Sequence, residues 1–83
     1  MLDTEVKALL ESRAPDWQFE VRGEGRNFQI DAISDAFGEL SRVKRQQAVY
    51  RLIAAEISEG SLHAITIQAL TPDEYSQKKG LGI

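Results

Sequence analysis

The sequence has no cysteine, and among its 83 residues it has a single histidine, His63. Without thiols, no disulfide can staple the fold and no thiolate metal site can form. No apolar run approaches the roughly 20 residues that a membrane-crossing helix needs. The start, Met1-Leu2-Asp3-Thr4-Glu5, lacks the basic opening and apolar centre of a secretory signal. These absences lead to the expectation of a cytoplasmic protein. Positive charge is also in short supply: 10 Lys and Arg stand against 13 Asp and Glu, a net charge of −3. The whole molecule should therefore not bind polyanions indiscriminately.

What remains is enough for one domain, residues 1–83, with 78–83 expected as a flexible tail. A chain this short buries only about 60–65% of its unfolded surface, so its stability must come from a well-patterned core. The charges are unevenly spread. Acids dominate up to Glu39, whereas between Ser41 and Ala55 every ionised side chain is positive: Arg42, Lys44, Arg45 and Arg51. A cationic helix on an acidic protein suggests a local patch with a specific partner.

Taken in order, Asp3 or Thr4 is placed to cap a first helix that runs to about Ala14. Leu2, Val6, Leu9, Leu10 and Arg13 form its stripe. Pro15 ends it, because the residue before proline is pushed out of the helical region. Alternation predicts a strand over Trp17–Arg22 and a second over Asn27–Ile33, the latter with Phe28, Ile30 and Ala32 inward. Gly23-Glu24-Gly25-Arg26 supplies the turn of an antiparallel hairpin. Asp35-Ala36-Phe37 reads as a single helical turn. Ser41 then caps the main helix, which Gly60 stops. Val43, Gln46, Val49, Tyr50, Ile53 and Ile57 are expected to share its inner face. A third strand covers Leu62–Leu70, and Thr71-Pro72-Asp73-Glu74 opens a short last helix with a capping box.

The order α-β-β-α-β-α predicts an α/β fold of the α+β two-layer type. It has a three-stranded mixed sheet, a right-handed crossover into a parallel third strand, and helices on one face. Gln18, Glu20, Arg22, Thr66 and Gln68 would point to water on the other face. In the third strand His63 shares parity with Ile65, Ile67 and Ala69, which sets it at the edge of the buried face. On residues alone, it reads first as a core-edge histidine satisfied by backbone or water.

Three blocks carry a family resemblance. They are Gly23-Glu24-Gly25-Arg26-Asn27-Phe28-Gln29-Ile30, then Phe37-Gly38-Glu39-Leu40-Ser41-Arg42-Val43-Lys44-Arg45-Gln46-Gln47, and then Leu62-His63-Ala64-Ile65-Thr66-Ile67 with Leu70-Thr71-Pro72-Asp73-Glu74-Tyr75. In this order and spacing, over nearly the whole chain, they resemble the BolA family in its short bacterial branch. The resemblance implies a fold similar to a type II KH domain. It also implies pairing with a monothiol glutaredoxin to share a [2Fe-2S] cluster, with glutathione as a further ligand, in cluster assembly or in redox and stress signalling. His63 is the residue that carries over as the iron ligand. The alternative it implies is a stress-responsive transcriptional regulator that contacts DNA. A weak homodimer is the remaining partner expectation.

One departure bears on the ligand set. Asn27 stands where many relatives have histidine or cysteine. An amide is a poor ligand for iron–sulfur iron, so this loop should not hold a cluster for the chain alone. The helix start Ser41, Arg42, Lys44, Arg45 is a candidate anion, nucleic-acid or partner surface. It lacks the second glycine of a KH-type GXXG clamp, because the junction reads Gly38-Glu39-Leu40-Ser41. The loop Gly23, Glu24, Gly25, Arg26, Asn27 is a candidate partner rim beside His63. No nucleophile, base and oxyanion donor come together in the sequence, so a non-catalytic protein is expected.

Overall fold

The computed structural model describes residues 1–24 and 27–81. Its elements are α1 (Asp3–Arg13), β1 (Gln18–Glu24), β2 (Asn27–Ile33), a 3-10 turn (Asp35–Glu39), α2 (Arg42–Glu59), β3 (Ala64–Leu70) and α3 (Pro72–Leu81). The expected order and the three-stranded mixed sheet hold. The strands lie in the order β1-β2-β3. Central β2 runs antiparallel to β1 and parallel to β3. α3 continues past Lys78, where the sequence suggests a tail, to Leu81; Gly82 and Ile83 lie outside the described residues.

Local chemistry sets the boundaries. Ser41 Oγ accepts from the Lys44 N–H at 3.3 Å, and Gly60 closes α2 with φ +88°. The Thr71 N–H donates to Glu74 Oε1 at 2.8 Å, while Thr71 Oγ1 accepts from the Glu74 N–H at 3.3 Å. This is a reciprocal capping box. The first helix differs from expectation. It starts at Asp3 itself, and Glu5 Oε1 takes the Leu2 N–H at 2.7 Å.

The core lies between α1, α2 and one sheet face. Val6, Leu10, Ile30, Phe37, Val49, Ile53 and Leu62 are wholly buried. Trp17 stands edge-on to Phe37, with ring centroids 4.8 Å apart. The expected inner face of α2 is corrected at Val43, Gln46 and Tyr50, all of which are exposed. One residue turns a helix by about 100°, so Tyr50, next to buried Val49, is carried off the inward stripe. Val49, Ile53 and the half-buried Ile57 keep it.

The one-face placement holds for α1 and α2, and α3 is the exception. Its Tyr75 and Lys78 line a groove with Glu20, Arg22 and Asp31 on the opposite sheet face, and the Lys78 ammonium donates to Gln68 Oε1. On that face Asp31 is buried at 4% exposure, held by Arg22 at 3.5 Å and by Gln29 at 3.4 Å. The last helix has little apolar surface and so gave no sign of which face it covers. Gln18, Glu20, Arg22 and Thr66 are exposed, as expected.

Arg13 ties α1 to α2. Its guanidinium reaches Glu56 at 2.6 and 3.0 Å and also donates to the Leu52 carbonyl. This hydrogen bonding, before any longer-range charge effect, holds the Glu56 carboxyl below its ordinary range. A carboxyl depressed in the folded state stabilises above its unfolded pKa of about 4.3 and loses that contribution as pH falls through the folded value. Glu56→Gln should therefore lower the melting temperature at pH 7, and the gap from the parent should close as pH falls below about 4. A gap unchanged between pH 7 and pH 3 would show that the pair carries no such linkage.

Candidate functional site

Parallel pairing of β2 with β3 sets the two ends of the sheet. At one end Asn27 pairs with Ala64, and at the other Ile33 pairs with Leu70. β1 and β2 turn into each other at the first end, where Glu24 pairs with Asn27. The paired hairpin ends Glu24 and Asn27 and the residue before Ala64, His63, thus lie at the same end. The expected neighbourhood of hairpin and histidine is what the register produces. Gly25 and Arg26, at the tip, lie outside the described residues.

His63 differs from expectation in one respect. It is exposed and precedes β3 rather than sitting within it. The reason is its neighbour. Leu62 is wholly buried, and its N–H donates to the Glu56 carbonyl at 3.2 Å. The parity rule applies only inside a strand, and the chain reaches extended geometry at Ala64. With Leu62 pinned inward, the next side chain turns out. Asn27 is built the same way. It is exposed, and its neighbour Phe28 is buried at 3%. Both outward polar residues stand beside a core anchor. An open depression lined by Arg22, Gly23, Asn27, Ala64 and Thr66 lies next to them.

The hairpin depends on Gly23. Its φ is +142°, a region that side chains rarely adopt, and a Cβ there would meet the Asn27 carbonyl oxygen at 2.2 Å. Backbone can approach this closely only where there is no side chain.

The basic helix start does not join this site. Arg45 donates to the Ala69 carbonyl at 3.2 Å and Gln46 to the Ile67 carbonyl at 2.6 Å, which sets the start of α2 toward the Leu70 end of β3. Seven strand residues separate the two ends by about 20 Å. Arg45 is also largely internal, bonded to the Leu40 carbonyl at 3.1 Å and to Glu74 at 2.8 Å. Of the sequence-predicted cluster, Ser41 acts as a cap, Arg45 joins α2 to β3 and α3, and Arg42 and Lys44 remain outward. The role of Arg45 in joining α2 to β3 and α3 has no local signature, because its partners there are 24 and 29 residues away.

The iron chemistry available is limited. Among the described residues no group of three or more His, Cys, Asp or Glu side chains is arranged to hold a metal ion. One outward imidazole offers one nitrogen to iron, and the other nitrogen needs an acceptor to orient it.

The BolA-like protein family model matches residues 3–74. The Acid stress protein IbaG of Escherichia coli is 33% identical over 81 residues, covering 98% of this chain and 96% of the relative. The solved BolA domain of SufE1 from Arabidopsis thaliana is 33% identical, covers 87% of this chain and 93% of its own, and superposes with a TM-score of 0.70. A BolA homologue from Coxiella burnetii has a TM-score of 0.80 over 92% of this chain and 97% of its own, at 21% identity, and so shares the fold.

Gly23→Ala should cost about 1–3 kcal/mol through forced backbone strain and should shift the amide resonances of Asn27 and Ala64. An unchanged melt with both resonances in place would contradict the close approach at the hairpin.

Proposed function

Because the chain belongs to the BolA-like family, we propose that it is a non-catalytic cytoplasmic adaptor that pairs with a monothiol glutaredoxin. In this pairing His63 gives one ligand to a [2Fe-2S] cluster, and the glutaredoxin and glutathione give the rest. The role is cluster delivery or redox and stress signalling; the name of the Escherichia coli relative, an acid stress protein, is in keeping with the latter.

The observation that carries this reading is the exposure of His63 in a chain with no other imidazole and no thiol. A [2Fe-2S] cluster takes four ligands, normally thiolate and less often imidazole. This chain meets one of the four. A second molecule must therefore complete the set, so the site is an interface as much as a ligand. When bound, the cluster supplies iron that accepts a lone pair from imidazole. The chain's own part is to hold His63 outward on the Leu62 anchor and to offer the hairpin as a rim. Asn27 adds a neutral amide at that rim, where a thiolate or imidazole would add a second ligand.

The test is His63→Ala in an anaerobic mixture with a monothiol glutaredoxin and glutathione, read by absorption and circular dichroism. The pair should still form, and its spectrum should revert to that of the glutaredoxin alone. An unchanged mixed spectrum with the complex intact would defeat the assignment.

A further inference from the structure

β3 is an edge strand. Its last carbonyl, Leu70, accepts from the Ser34 N–H at 3.0 Å and so faces the β2 side. Alternation then turns the N–H and carbonyl groups of Ile65, Ile67 and Ala69 outward, to the free edge. The carbonyls of Ile67 and Ala69 are met there by Gln46 and Arg45 of α2. The strand itself, Ala-Ile-Thr-Ile-Gln-Ala-Leu, has no charge and no proline. Those are the usual devices that keep an edge from pairing. A side-chain amide and a guanidinium from α2 stand in for them.

A cavity of about 590 Å³ wraps this edge, from Arg42, Arg45 and Gln46 across Ile67 to Thr66 and Gln29. A second, of about 470 Å³, continues it along α2 past Tyr50 and Arg51, sharing Gln46 and Ile67 with the first. Among the described residues the sole carboxylate lining either one is Glu74, and it is spent on Arg45 at 2.8 Å. Arg42 and Arg51 make the α2 wall positive, and Tyr50, 46% exposed, makes part of it apolar.

We propose that the free edge of β3 is a docking site for an acidic, extended segment of a protein partner, added as a fourth strand, with Gln46 as its displaceable guard. Main-chain hydrogen bonds to Ile65 and Ile67 give the affinity. Side chains on one face of the added strand meet Arg42, Tyr50 and Arg51, which selects carboxylates among apolar residues. Those on the other face meet Thr66 and Gln29. The Gln46 amide holds the Ile67 carbonyl until a peptide N–H replaces it. The site lies along β3 and does not involve His63, so it stands or falls separately from the iron reading.

The full chain, without cluster or glutaredoxin, is titrated by amide NMR and hydrogen exchange with a capped hexapeptide alternating Glu and Val. Parallel titrations use the Lys–Val counterpart, the Glu–Val peptide N-methylated at alternate residues, and a hexathymidine oligonucleotide. The Glu–Val peptide should slow exchange at Ile65 and Ile67 at least tenfold. The Lys–Val peptide should bind at least tenfold more weakly, and N-methylation should abolish binding. Gln46→Ala should tighten binding by about fivefold, the weight of one net hydrogen bond released from competition. The proposal is overturned by no protection at millimolar peptide, by equal binding of the Lys–Val peptide, or by weaker binding to Gln46→Ala. Oligonucleotide binding without peptide binding would overturn it in favour of a nucleic-acid groove.

Discussion

The parallel register between β2 and β3 governs the rest of this molecule. Seven consecutive pairs, from Asn27 with Ala64 to Ile33 with Leu70, fix which loops share an end of the sheet. Because β1 folds back antiparallel onto β2, the paired ends Glu24 and Asn27 must lie beside the start of β3. The long return through α2 then has to deliver the chain to that same end, and Leu62 is the residue that docks it. His63 faces outward because the docking is done one residue earlier. A slip of one residue in this register would turn Ile65, Ile67 and Ala69 away from the core.

Much of this was legible in the sequence. Alternation placed β2 correctly because its inward residues, Phe28, Ile30 and Ala32, are apolar and interleave with polar Asn27, Gln29 and Asp31. Caps carried the helices, since Ser41, Gly60 and Thr71 each do the work that their chemistry predicts. Apolar spacing alone does not reveal where a helical stripe is centred, so it cannot tell exposed Val43 and Tyr50 from the inner face. The position of α3 was hidden for a different reason. It is held by polar contacts, such as Lys78 with Gln68 and Arg45 with Glu74, and these join residues distant in sequence. For the site, the pairing of histidine and hairpin was legible, but the outward turn of His63 was not. It depends on the strand starting at Ala64, and boundaries of that kind are the least certain part of any pattern.

Two surfaces result, and they differ in character. The His63 end is open, built on two core anchors, Leu62 and Phe28, and presents one exposed imidazole. The β3 edge is long, cationic on the α2 side and guarded by side chains. Arg45 belongs to the second surface, where it binds β3 and α3 together, and charge alone would not have assigned it there. The family's structural neighbours share the sheet that creates both. In the proposed pairing, Asn27 at the hairpin makes the first surface more dependent on a partner than a second imidazole or thiolate would.

That dependence is open to direct measurement. The chain alone and the chain mixed with a monothiol glutaredoxin and glutathione are reconstituted anaerobically with iron and sulfide, and bound iron is counted after gel filtration. The account predicts no cluster on the chain alone and one [2Fe-2S] cluster per heterodimer. A cluster that stays on the chain alone would contradict it.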